Sequence, residues 1–148
     1  MLTEGTMITA QDTAALARKQ YDFYNARTFD KNIECASPNI QLINVATGQT
    51  YKGHAALREY LQNWATAMPD SKVEVLNVVA TDTYTVAECV GRGTHKGPLT
   101  GPTGTIQPTG KKIELHFCEV YKFENGKITE DRVYFDAATM LRQMGVIS

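Results

Sequence analysis

The sequence predicts an α+β domain in which a curved antiparallel sheet carries helices on its concave face and encloses a cavity. Three observations predict it. Apolar residues recur at helical spacing as far as Pro69, the period changes to two beyond it, and Glu124-Asn125-Gly126-Lys127 joins two strand-like runs with a dipeptide that closes hairpins well. Helices first and a run of strands afterwards is the order of an α+β fold. With 148 residues, 43% of them hydrophobic, the chain suits one domain and fills one core without disulfides or metal.

Each element has its own signal. Residues 1–8 read as a frayed leader. Thr9 is an N-cap with Asp12 in the capping-box position, and Ala14, Ala17, Tyr21 and Tyr24 then mark an amphipathic helix over 10–27. Residues 29–35 form a short second helical piece, closed by Ser37-Pro38. Ile40–Val45 is a strand, residues 46–50 a turn and Tyr51 the return strand. Gly53 precedes a third helix, since Leu57, Leu61, Trp64 and Met68 share one stripe. Strands follow at 72–80, 83–95, 111–124 and 127–136, and Ala137–Met144 is a last helix stopped by Gly145. The Gly-, Pro- and Thr-rich stretch 97–110 is long for a hairpin loop, and reads either as a lid over a pocket or as a solvated connection.

Composition excludes several functions. Fifteen Lys+Arg against sixteen Asp+Glu give a formal charge of −1, which leaves no electrostatic footprint for nucleic acid. No basic run suits an acidic membrane surface, and no apolar stretch is long enough to span a bilayer. Cys35, Cys89 and Cys118 are odd in number and widely spaced, so neither a disulfide framework nor a zinc site is indicated. Acidic residues stand near the start where a signal peptide has basic ones, and the expected setting is cytoplasmic. There is no GxSxG elbow, P-loop, HExxH or strand-borne GxGxxG. Chemistry must come from scattered polar residues on apolar strand faces.

The run Ile113–Phe123 places Ile113, Leu115, Phe117, Glu119, Tyr121 and Phe123 on one face and Glu114, His116, Cys118, Val120 and Lys122 on the other. The first face is the more apolar and should look inward. A carboxyl at Glu119 is then poorly solvated, which suits a general acid or base. Its partner depends on register. A two-residue Asn125-Gly126 turn sets Glu119 opposite Arg132, a structural ion pair. A three-residue Glu124-Asn125-Gly126 loop with a bulge sets it opposite Asp131, and Phe117 opposite Val133, so that two carboxyls share a proton.

His95 adjoins the long loop, where it reads as a proton shuttle or as a half-exposed strand end. His54 reads as a capping or surface residue. Asn44, in an otherwise apolar strand, either satisfies a turn or points into the cavity to hold a water or ligand oxygen. Tyr21, Tyr24 and Trp64 should roof the cavity, as core or as ligand contacts with polar tips. His116, Cys118 and Val120 lie on an outer sheet face that no helix remains to cover, which predicts a homodimer through that face.

Phe23-Tyr-Asn25, Tyr51-Lys-Gly53, Met68-Pro-Asp70, Gly93-Thr-His-Lys-Gly97, Pro108-Thr-Gly-Lys111, Gly126-Lys-Ile128 and Tyr134-Phe-Asp136 running into Gln143-Met-Gly145 occur in an order that resembles the NTF2-like cone fold. Within it, the chain resembles the SnoaL-like polyketide cyclases, or ester cyclases, over nearly its whole length. The resemblance implies an inward cavity, a sheet-packed homodimer, no cofactor and a small hydrophobic ligand. It implies activities such as aldol ring closure, with ketosteroid isomerases and limonene epoxide hydrolase as cousins that use a pocket carboxylate. The family's catalytic aspartate falls at Val133, three residues before Asp136. With Phe135 also on the cavity face, the resemblance favours the bulged register and brings Glu119 and Asp131 onto that face. Asn44 falls near the amide that holds water in the epoxide hydrolases. The expected chemistry is a cofactor-independent cyclase, isomerase or hydrolase in which Glu119 or Asp131 exchanges a proton and Asn44 and His95 polarise an oxygen. Ligand contacts are then expected from Tyr21, Tyr24, Trp64, Phe117, Val133 and Phe135. The alternative is a non-catalytic binding module, which Val133 favours; a purely structural dimerisation domain would instead have its cavity filled by side chains.

Overall fold

A computed structural model describes residues 7–148; most of the expected leader lies outside the described residues. The first helix, α1 (Ala10–Ala26), opens on a reciprocal capping box: Asp12 N donates to Thr9 Oγ1 at 3.1 Å and Thr9 N to Asp12 Oδ2 at 3.0 Å. It ends at Arg27, which takes the left-handed conformation, and α2 (Phe29–Glu34) follows at once. The strands β1 (Ala36–Asn44) and β2 (Gln49–Lys52) form a hairpin that leads into α3 (Gly53–Ala67). After Pro69 come β3 (Lys72–Ala80), β4 (Tyr84–Thr94), β5 (Leu99–Gly101), β6 (Gly104–Ile106), β7 (Lys112–Glu124) and β8 (Lys127–Phe135). The last element, α4 (Ala137–Met144), is capped by the Asp136 side chain and stopped by left-handed Gly145.

Six strands form one sheet in the order β2-β1-β8-β7-β4-β3. The sheet is antiparallel as expected except at one pairing, β1 with β8, which is parallel. The two strands are not joined by a hairpin, since β2, α3 and the strands β3 to β7 lie between them in the chain. α1 packs on β3 and β4 and α3 on β1, which closes the concave face. Asn25 ties α1 to the sheet edge: its Nδ2 donates to Val73 O at 2.9 Å, and its Oδ1 accepts from Val73 N at 2.8 Å. The core between the layers joins Ala17, Ile40, Leu42, Leu57, Phe123 and Ile128.

The stretch 97–110 is neither a bare loop nor a lid. It contains the β5–β6 hairpin, and buried Leu99 packs with Ala67, Met140 and Met144. Asn63 clasps Thr100 by two hydrogen bonds, and neither strand contributes to the cavity wall.

Both expected registers of the β7–β8 hairpin need correction. The turn has two residues, Asn125 and Gly126, both with positive φ, as a mirror-image hairpin turn requires. Phe123 pairs with Ile128, but Lys122 pairs with Glu130, so Thr129 is an extra residue in β8. Glu119 therefore faces Val133, Tyr121 faces Asp131, and Phe117 faces Phe135. The bulge decides what points inward. Ile128 is inside, and strict alternation from it would carry Glu130 and Arg132 in. The extra residue reverses the parity and delivers Asp131, Val133 and Phe135 instead.

Candidate active site

Between the helices and the concave face lies a cavity. Its empty space, mouth included, is about 1000 Å³. The wall is predominantly apolar, with a few polar groups, which is the make-up of a small-molecule site. Tyr21, Tyr24, Trp64, Phe117, Val133 and Phe135 lie on it where the sequence puts them, and so do Glu119 and Asp131. Trp64 and Phe135 meet edge to face at 5.9 Å between centroids.

Glu119 comes from the middle of β7 and Asp131 from just past the bulge in β8. They are 7% and 4% exposed. Facing Val133 and Tyr121 in the register, the two carboxyls are diagonal neighbours across the β7–β8 pair. Burial pushes the Asp131 carboxyl well above the usual carboxylate range, and the charge and hydrogen bonding of Glu119 push it further. Both effects favour the protonated form of Asp131. The phenol of Tyr21 donates to Glu119 Oε1 at 2.9 Å, reaching it from α1. Asp131 Oδ1 is buried and has no hydrogen-bond partner. Burial, and after it the charge of Glu119, raises Tyr21, Tyr60 and Tyr121 well above the ordinary phenol range, so all three remain donors at neutral pH. The same causes push the Cys89 thiol up to about 12, leaving it a packing group rather than a nucleophile.

Two expected polar contributors lie elsewhere. Asn44 ends β1 beside Val133, buried but off the cavity wall; its main-chain carbonyl accepts from Thr47 N and Gly48 N in the turn, and its side-chain Oδ1 has no hydrogen-bond partner. His95 is fully buried, not half-exposed, and also off the wall. Thr109 N donates to its Nδ1 at 3.3 Å, and its backbone pairs with Lys111 and Gly110. That geometry makes it a strut holding the 97–110 segment, and burial lowers its pKa. His54, at the start of α3, bonds the Ala36 carbonyl oxygen at 2.9 Å. Neither Asn44 nor His95 is placed to polarise a ligand oxygen.

Sequence reasoning missed Tyr60, Tyr121, Gln20, Asn32 and Ser71, which also line the cavity. Tyr121 and Tyr60 were findable: one sits two residues from Glu119 on the inward face, the other between Leu57 and Trp64 on the α3 stripe. Nothing local marks the others. Among the described residues no three His, Cys, Asp or Glu side chains gather as metal ligands would, and no helix among them is long and apolar enough to cross a membrane.

No curated protein is matched by the sequence. Among solved structures, a protein from Jannaschia sp. CCS1 assigned as a SnoaL-like polyketide cyclase superposes with a TM-score of 0.82 at 17% identity, over 99% of this chain and 100% of that one. TsrD from Streptomyces laurentii gives 0.79 at 19% identity, over 99% and 100%. An LEH-like epoxide hydrolase from M. tuberculosis gives 0.70 at 14%, over 93% and 92%. Such likeness establishes the NTF2-like fold. The family model described as SnoaL-like polyketide cyclase matches residues 14–144; the chain belongs to the SnoaL-like polyketide cyclase family.

Proposed function

We propose that the protein is a general acid/base enzyme, independent of cofactors, that acts as a cyclase, isomerase or hydrolase on a small hydrophobic oxygenated molecule such as a polyketide- or steroid-like compound. One observation carries the reading: the carboxyls of Asp131 and Glu119 are buried together on the wall of an apolar cavity, where burial and the neighbouring charge push Asp131 towards its protonated form. An acid and a base held apart in proton affinity by their surroundings are what proton transfer from carbon to oxygen needs. Glu119, steadied by the Tyr21 phenol, takes the proton of the C–H bond next to a carbonyl. Asp131 gives its proton to the carbonyl oxygen as the enol forms, and reversal at another carbon completes the exchange. Family membership and the epoxide hydrolase neighbour support small-molecule chemistry on this fold.

The test is hydrogen–deuterium exchange α to the carbonyl of 2-decalone in D₂O, followed by proton NMR. The wild-type protein accelerates exchange and Glu119→Gln does not, while both bind the ketone. Binding without acceleration by the wild type would instead support a non-catalytic binding module. Val133 favours that second reading, because a side chain without a proton fills the family's aspartate position on the cavity wall.

The protein works as a homodimer through the outer sheet face. Leu76, Val79, Val86 and Tyr134 are exposed there, with Cys118 and Val120 half-buried among them. A second copy of the same face is the partner that an exposed apolar surface of this kind suits.

A further inference from the structure

Away from the carboxyls, the cavity has a second polar group, built on α1 and α2. Gln20 Nε2 donates to the Leu16 carbonyl oxygen at 3.0 Å, which fixes the orientation of that amide because a carbonyl only accepts. Asn32 Nδ2 donates to the Gln20 carbonyl oxygen at 3.0 Å and to Gln20 Oε1 at 3.1 Å, so its orientation is fixed in turn. Both donors of Asn32 are thereby used. Its Oδ1 is buried with no hydrogen-bond partner, on a residue 4% exposed that lines the cavity. Gln20 is on the wall as well.

A buried acceptor without a donor is costly, by roughly 1–3 kcal/mol in general, and a ligand that supplies the donor recovers that cost. We infer that Asn32 Oδ1 is a specificity subsite for a hydrogen-bond donor on the ligand, a hydroxyl carried by its hydrocarbon frame apart from the reacting carbonyl. The inference rests on the cavity being a ligand site, as proposed above. Gln20 positions Asn32 and touches the ligand only through it. Tyr21 follows Gln20 on α1 and reaches Glu119, so one helical turn supports both the donor subsite and the acid/base pair.

The probes are decahydro-2-naphthol and its methyl ether, which differ in the donor. Trp64 is the sole tryptophan and lines the cavity, so its fluorescence reports binding of both non-fluorescent compounds. Wild type should bind the alcohol about tenfold more tightly than the ether. Asn32→Leu should lose the preference and bind the two probes alike. In the wild-type protein, the Asn32 carbonyl-carbon NMR resonance should move with the alcohol and not with the ether, a readout that needs no variant to fold. A preference that survives in Asn32→Leu, or an Asn32 resonance indifferent to the alcohol, overturns the subsite even where 2-decalone exchange is accelerated. Failure of wild type to bind either probe overturns the subsite and the cavity reading together.

Discussion

Replacing Asp131 by Asn removes the proton that the buried pair holds and leaves a side-chain donor facing Glu119. In the unfolded chain Asp131 releases its proton near the ordinary value of about 4. In the folded protein, burial and Glu119 raise its pKa well above that. Over the interval between the two values the folded state binds more protons, so stability falls as pH rises. The stabilising contribution is fully present below the ordinary carboxylate range and is lost as pH climbs through the folded pKa. The slope within the interval approaches about 1.4 kcal/mol per pH unit. For a domain of this size 1 kcal/mol moves Tm by roughly 2–4 °C, so the slope is roughly 3–6 °C per pH unit. It belongs to the carboxyl pair as a unit. Asp70, held low by the Thr94 N–H and hydroxyl, and Asp136, held low by the Thr139 hydroxyl, act in the opposite sense, losing stability as pH falls. They are common to both proteins and cancel in the difference. Calorimetric melts of wild type and Asp131→Asn across the acid-to-neutral range should show the variant gaining on wild type as pH rises. A constant difference, or a wild type that gains on the variant, refutes the shared proton.

Other consequences are open to direct test. Glu119→Gln keeps an acceptor for Tyr21, so urea melts near neutral pH should place it within about 1 kcal/mol of wild type; a loss of about 3–5 kcal/mol would indicate a broken buried ion pair. Burial lowers the pKa of His95, so its contribution is complete above the usual histidine range near about 6.5 and is lost as pH falls through the lowered value. Protonation costs the bond from Thr109 N to Nδ1, and the protection factor of the Thr109 amide should drop on acidification; unchanged protection would contradict the strut. At Gly97 an added Cβ would lie 2.0 Å from the Thr66 carbonyl oxygen, so Gly97→Ala should cost roughly 1–3 kcal/mol in a denaturant melt. Val79→Lys with Val86→Lys should turn a sedimenting dimer into a monomer, and a wild type that sediments as a monomer at micromolar concentration would remove the interface.

The helices and most strands were legible because each signal was local. The capping box at Thr9, the α3 stripe, the Asn125-Gly126 turn and the stop at Gly145 act within a few residues, and their elements lie within a residue or two of the expected bounds. The inward set around Glu119 was legible from alternation alone. The pairing across the hairpin was not. It turns on one extra residue at Thr129, which no turn dipeptide announces, and both expected registers missed it while one matched its parity. Asn44 and His95 failed as site residues because strand parity says which way a side chain points and not how far the cavity extends along the strand. Asn32 and Gln20 escaped because their role depends on α2 folding against α1, a contact the sequence does not mark.

The central claim is that Asp131 and Glu119 share one proton inside the cavity. Carbon-13 NMR titration of the Asp131 carboxyl, in wild type and in Glu119→Gln, tests it most directly. The shared-proton account predicts that Asp131 in the wild type stays protonated well above the usual carboxylate range, and that its apparent pKa falls once Glu119 no longer carries charge. An Asp131 that titrates in the ordinary range, or one indifferent to the loss of Glu119's charge, would contradict it.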